Sequence, residues 1–192
     1  DNKNILLIVF SVISVIFITT ISLNSYNNSQ NEKASEIYDA WFSTFSNDSK
    51  DGQDYYNSLQ TKYSNPGYAQ LATMIKASSL AREGDLDSAL IDFSELLDAS
   101  SGIFGNEMLS SIAKINIARI ELSKKNYTDV LKTLESFNSN SEHSLVYEIK
   151  GDALLGLQKN DLALDQYSLA LENTQNESQK SLIKMKINKV YN

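Results

Sequence analysis

The chain has 192 residues, a formal net charge of −7 and no cysteine. A disulfide framework and a thiolate metal site are therefore excluded, and the acidic balance argues against a nucleic-acid partner, which requires a basic face. Seven glycines and one proline suit a mostly helical chain with short turns. Residues 1–4 form an N-terminal flank whose one cation is Lys3. Ile5 to Leu23 follows, 19 residues without a charge. As a helix it spans about 28 Å, close to the hydrocarbon thickness of a bilayer. A cleaved signal sequence has a shorter apolar core, about 7–15 residues, that ends in a small-x-small site; this run is longer and ends in Leu23-Asn24-Ser25-Tyr26-Asn27. Residues 5–23 are thus read as a transmembrane anchor in contact with the lipid bilayer. Lys3 places the N-terminus in the cytoplasm by the positive-inside rule. Residues 24–31 are polar, a linker or an extension of the helix.

The segment 32–192 reads as a series of helical hairpins. From Glu32 to Phe45, apolar residues recur near helical spacing (Ala34, Ile37, Trp41, Phe42, Phe45), and Trp41 belongs to a core. A polar break at Asn47 to Gly52 precedes a second helix, Asp54 to Tyr63, that ends at Ser64-Asn65-Pro66-Gly67. Tyr68 to Ser100 forms a clearer hairpin with Ala77, Leu80, a Gly84-Asp85 turn, Ala89, Phe93 and Leu96. A third spans Ser111 to Asn138, with Ala118, Tyr127, Val130, Leu134 and Phe137 in equivalent places. Glu121 stands in it where a large apolar residue is usual.

The sharpest stretch is Tyr147 to Thr174. Gly151 follows Tyr147 by four residues, Ala163 follows Gly151 by twelve, and Tyr167 and Ala170 come four and three residues later. Small residues at such places let two helices approach, and the aromatics fill the space beside the contact. This spacing resembles a tetratricopeptide repeat, a helical hairpin that cannot bury its apolar face without stacked neighbours. Lys150 departs from the pattern. Ala89 to Val130 is a shift of 41 residues and Val130 to Ala163 one of 33, against a period of about 34. A loop around Gly102 to Asn106 absorbs the excess. Ser178 to Tyr191 closes the array, with Ile183, Ile187, Val190 and Tyr191 on an apolar face and Lys180, Lys184, Lys186 and Lys189 on a solvated one. The expected fold is all-α: a transmembrane helix, then a solenoid of about four hairpins with a C-terminal capping helix.

No catalytic constellation is legible. The single histidine, His143, lies in a polar loop without a nucleophile or orienting partner at a readable spacing, and one histidine without cysteine makes no ordinary zinc site. Asp85 and Asp87 are explained by a helix start. No enzyme activity, metal or cofactor is expected. The repeat register instead assigns a concave face to the first helix of each hairpin: Leu71, Met74 and Ser78, then Ile115, Arg119 and Leu122, then Leu145, Glu148, Asp152 and Leu155. Mixed apolar and charged groups along a groove suit an extended or helical protein segment. Arg119 and Asp152 share one register in adjacent repeats, where they are expected either to pair with each other or to meet a partner.

An anchor followed by a short repeat array resembles the YfgM family. The residues that carry the resemblance are Tyr68-Ala69-Gln70-Leu71-Ala72, Asn116-Ile117-Ala118-Arg119-Ile120, Lys150-Gly151-Asp152-Ala153-Leu154-Leu155 and Met185-Lys186-Ile187-Asn188, in that order after the anchor. The resemblance implies a single-pass protein of the bacterial inner membrane with a periplasmic repeat domain, an ancillary subunit of the SecYEG translocon. Its implied partners are the translocon, a PpiD-like periplasmic chaperone and emerging secretory chains. The family has a longer cytoplasmic segment before the anchor than the four residues present here. A scaffold for another cell-envelope complex, built on the same fold, is the alternative.

Overall fold

The computed structural model describes residues 2–46, 52–62, 66–103, 105–137 and 144–191, with backbone alone at 2–12, 14, 46 and 66. Among the described residues there are nine helices and no strand. They divide into two compact units, residues 1–72 and 73–192.

The first unit is built on α1 (Asn2–Ser46), α2 (Gly52–Lys62) and the start of α3 (Pro66–Glu83). α1 runs without interruption through 24–31. Ile13, Val15, Ile16, Phe17, Ile18, Ile21 and Leu23 are each more than half exposed. At 100° per residue they point all round the helix rather than along one stripe. Thr19 and Thr20 donate their hydroxyls to the carbonyls of Val15 and Ile16, at 2.7 and 2.8 Å. No helix among the described residues is long and apolar enough to cross a membrane; much of the expected span, residues 5–12 and 14, lies outside the described side chains.

Beyond Asn31 the helix becomes one-sided. Ala34 and Trp41, seven residues apart, are buried together with Tyr56 and Leu59 of α2 and Ala72. Trp41 stacks on Phe45 at 5.0 Å and tilts against Tyr56 at 6.2 Å, and Tyr38 lies 5.5 Å from Tyr68. Phe42, expected on the core side, is 46% exposed. It follows Trp41 directly, and a step of 100° carries it off the buried stripe. Pro66, read as a stop, also opens α3; its missing N–H costs nothing in a first helical turn.

The second unit contains the rest of α3, then α4 (Leu86–Ser100), α5 (Glu107–Ser123), α6 (Tyr127–Thr133), α7 (Ser144–Gly156), α8 (Asn160–Glu172) and α9 (Glu177–Tyr191). Three turns join the helix pairs α3–α4, α5–α6 and α7–α8, and all three are built alike. Gly84, Lys125 and Gln158 hold the same place, each with a left-handed φ of 91°, 63° and 60°. The next amide N–H in each turn, of Asp85, Asn126 and Lys159, donates back to Leu80, Glu121 and Leu154 at 2.9–3.0 Å. This C-terminal cap satisfies a carbonyl that the helix leaves open and sends the chain back along its own hairpin. The following helix starts from the same residue each time, since Ala89, Val130 and Ala163 donate to the carbonyls of Asp85, Asn126 and Lys159. Asp85 also caps α4 through Ser88 N–H, and Asn106 caps α5 through Leu109 N–H, both at 3.1 Å.

Small residues sit at the helix crossings. Ala77, Ala89, Ala113, Ala118, Val130, Ala163 and Ala170 are fully buried. An alanine methyl at Gly151 would lie 2.6 Å from the Tyr167 ring, so only glycine allows that approach. Two apolar clusters result, one around Ala118, Val130, Leu134, Val146, Ile149 and Ala153, the other around Tyr147, Leu154, Ala163, Tyr167, Ala170 and Ile183. Both departures from the repeat pattern have local reasons. The Glu121 carboxylate accepts from Asn126 Nδ2 at 2.6 Å and ties the α5–α6 turn. Lys150 donates to the Phe137 carbonyl at 3.2 Å, beyond the end of α6. α6 itself stops at Thr133, so Leu134 and Phe137 pack from the chain that follows it rather than from a helix. Tyr191, expected on the apolar face of α9, is 74% exposed, whereas Ile183 is fully buried. His143 lies outside the described residues.

Candidate functional site

A groove of about 510 Å3 lies between α3 and α5, with the first residue of α4 also on its wall. It is lined by Ile75, Ser78, Ala81 and Arg82 of α3, Leu86 of α4, and Asn116, Arg119, Ile120 and Ser123 of α5. Ile75 and Asn116, Ser78 and Arg119, and Arg82 and Ser123 are each 41 residues apart, the same offset that relates Ala89 to Val130. The groove is therefore the meeting of one helix face, repeated. Both guanidinium groups belong to exposed residues. Among the described residues, no carboxylate lies within ion-pair distance of either. Ser78, Asn116 and Ser123 donate to the carbonyls of Met74, Ile112 and Ile120 of their own helices, at 2.7–2.9 Å. The two serine hydroxyl protons are spent, Asn116 keeps one amide N–H, and all three side-chain oxygens retain lone pairs for an N–H from outside.

The corresponding face of α7 is occupied. Lys186 of α9 reaches Glu148 Oε1 and Asp152 Oδ2, both at 2.6 Å. The Tyr167 hydroxyl donates to the other Asp152 oxygen at 2.7 Å, and Gln179 approaches Glu148 at 3.5 Å. Burial and the hydrogen bond to Asp152 hold the Tyr167 phenol well above the usual tyrosine range. Burial opposes the charge of Lys186, but its hydrogen bonds to Asp152 and Glu148 outweigh that and raise its pKa. Lys186 thus leaves the solvated lysine face to which the sequence assigned it. The expected pairing of Arg119 with Asp152 gives way to Lys186 and Tyr167, because α9 brings an ammonium closer to Asp152 than the neighbouring repeat brings a guanidinium. Among the described residues, no cluster of three or more His, Cys, Asp or Glu is placed to hold a metal ion.

Three turns with the same backbone hydrogen bonds and a repeated groove face define a helical-repeat chain. A family model described as a tetratricopeptide repeat-like domain matches residues 1–192. The chain belongs to this family. Two curated relatives carry the name "Ancillary SecYEG translocon subunit". The one from Buchnera aphidicola subsp. Schizaphis graminum (strain Sg) is 28% identical over 123 residues, 64% of this chain and 61% of the relative. That from Buchnera aphidicola subsp. Acyrthosiphon pisum (strain APS) is 24% identical over 123 residues, 64% of this chain and 62% of the relative. The chain thus matches about three fifths of each relative's length. These relatives support the likeness to the YfgM family. No solved structure matches the chain.

In the tetratricopeptide register, the residues expected on the concave face have different fates. Ser78 and Arg119 line the groove. Ile115 and Leu122 pack against the cluster around Ala118, and Leu155 packs against the one around Tyr147. Glu148 and Asp152 are held by α9. Leu145 is exposed at 39%, Met74 is half-buried, and Leu71, also half-buried, belongs to the first unit. Arg82, Asn116, Ile75 and Ser123 were not anticipated. They sit one residue beyond Met74, Ile115 and the register of Leu122, so a groove-facing stripe drawn one residue wider would have included them.

Proposed function

We propose that this chain is a non-catalytic adaptor anchored in the bacterial inner membrane, an ancillary subunit of the SecYEG translocation machinery. In this reading the apolar part of α1 crosses the bilayer with the N-terminus in the cytoplasm. The repeat domain then stands on the periplasmic side and binds a PpiD-like chaperone, emerging secretory chains, or both. The observation that carries the reading is the likeness, over 123 residues, to relatives named as translocon subunits. The anchor is supported by the ring of exposed apolar residues from Ile13 to Leu23 and by the two threonine hydroxyls turned back onto helix carbonyls. Those hydroxyls would carry no unmet hydrogen bond into hydrocarbon. Tethering makes weak contacts sufficient by raising effective concentration.

Site-specific photocrosslinking in native membranes tests this. Probes belong at Met74, Arg119 and Leu145, with Leu162 of α8, half exposed, as the outer control. Translocon subunits or a periplasmic chaperone captured from the first three sites and not from Leu162 are the expected result. Adducts with an unrelated envelope complex would overturn the assignment. A chain begun at Asn24 that still fractionates as an integral membrane protein would overturn the anchor.

A further inference from the structure

We propose that the groove between α3 and α5 selects an acidic, partly apolar peptide segment of a partner protein, whose carboxylates are taken by Arg82 and Arg119. This deepens the adaptor reading and rests on it for the existence of a protein partner. The chain contains two arginines against fifteen lysines, and both arginines line this one groove. A guanidinium offers a planar fork of donors that matches a carboxylate in two bonds, which an ammonium cannot do. The groove lining contains no acid, although the chain as a whole carries a net −7.

The acids nearby are each committed elsewhere. Glu83 accepts from Ser79 at 2.8 Å, Asp85 caps Ser88, Asp87 pairs with Lys124, Asp92 pairs with Lys76, and Glu121 holds Asn126. Among the described residues none of these acids lies within ion-pair distance of either guanidinium, whose charge is left for a ligand. Ile75, Leu86 and Ile120 supply an apolar wall, and the oxygens of Ser78, Asn116 and Ser123 are free to accept N–H groups. A ligand that offers carboxylates, an apolar side chain and N–H donors together is a peptide. A polyanion such as single-stranded nucleic acid offers anionic phosphates but no aliphatic side chain for the apolar wall, and the acidic chain repels it.

The test is fluorescence anisotropy with the full chain in a non-ionic detergent and a short fluorescein-labelled peptide of Glu, Leu and Ala. The controls are its Gln-for-Glu counterpart and an oligothymidylate. The Glu peptide is expected to bind at least about tenfold more tightly than the Gln peptide. R82Q and R119Q should each weaken the Glu peptide by about tenfold, and R119K should restore only part of the loss, because it returns the charge without the fork. Both arginines are exposed, so far-UV circular dichroism should be unchanged in these variants. Equal binding of the Glu and Gln peptides, undiminished binding by the R82Q/R119Q chain, or tighter binding of the oligothymidylate would each overturn the proposal. The assay contains no translocon component, so its failure leaves the crosslinking result standing. Failure of the crosslinking, in turn, leaves the carboxylate preference measurable.

Discussion

Lys186→Met removes the ammonium that joins α9 to α7. Its Nζ lies 2.6 Å from both the Glu148 and Asp152 carboxylates. Glu148 has a side chain only 9% exposed, while the side chains of Lys186 and Asp152 are each 25% exposed. Removing one member of a fully buried pair costs about 3–5 kcal/mol, because the other charge is left uncompensated. Partial solvent access reduces that, and we expect about 2 kcal/mol. For a chain of this size the loss corresponds to a fall of about 4–8 °C in Tm. Hydrogen exchange should localise it, with amides of α9 losing protection before those of α7 and α8, since a terminal element of a repeat array opens first. Glu148→Gln in the K186M background should recover part of the loss by removing the stranded charge.

The pH dependence gives a second reading of the same contact. Folding raises the pKa of Lys186. Above the unfolded lysine value of about 10.4 the folded chain still holds a proton that the unfolded chain has released, so stability falls as pH rises. The contribution is therefore full below about pH 10 and is lost as pH climbs through the folded value. Tyr167, also raised, acts in the same direction, whereas Lys150, lowered by burial, acts against it. The stability advantage of wild type over K186M should accordingly shrink above about pH 10. A K186M chain within about 0.5 kcal/mol of wild type at neutral pH, with α9 equally protected, would refute the reasoning and reduce the contact to an ordinary surface pair.

Two further predictions concern the hairpins. Gly151→Ala places a methyl 2.6 Å from a Tyr167 ring atom. The ring is fully buried and its hydroxyl is held by Asp152, so it cannot swing away. A loss of about 1–3 kcal/mol in urea unfolding is expected, and an unchanged midpoint would show that the ring yields. Gln158→Gly relieves a side chain at φ 60° in the place that glycine takes in the α3–α4 turn. A gain of up to about 1 kcal/mol is expected, and a lower Tm would mean that the Gln158 side chain contributes more than its backbone costs.

Much of the repeat domain was legible along the chain. Tyr147, Gly151, Ala163, Tyr167 and Ala170 set one hairpin because their spacing matches helix periodicity, and periodicity is a local property. The same holds for the Gly84-Asp85 turn and for Trp41 as a core residue. The width of the face that lines the α3–α5 groove was not legible, since a register read from single positions does not say how wide a groove opens between two helices. The length of α6 was hidden as well: Leu134 and Phe137 keep apolar places after the helix has ended, and apolar pattern does not distinguish helix from packed turn.

What the sequence determined by itself is the all-α repeat architecture and the close crossings of its hairpins. Both follow from which residues are small, which are aromatic and how far apart they stand. The fate of the charges was decided by the tertiary structure. Along the chain Glu148 and Asp152 belong to the concave face and Lys186 to a solvated one, yet Lys186, 34 residues beyond Asp152, is set by α9 between the two acids. Arg82 and Arg119 come from different hairpins and become one groove only when α3 and α5 lie side by side. An ion pair is settled by distance in space, through a Coulomb energy that falls with separation and rises with burial, and sequence spacing across several turns carries no record of it.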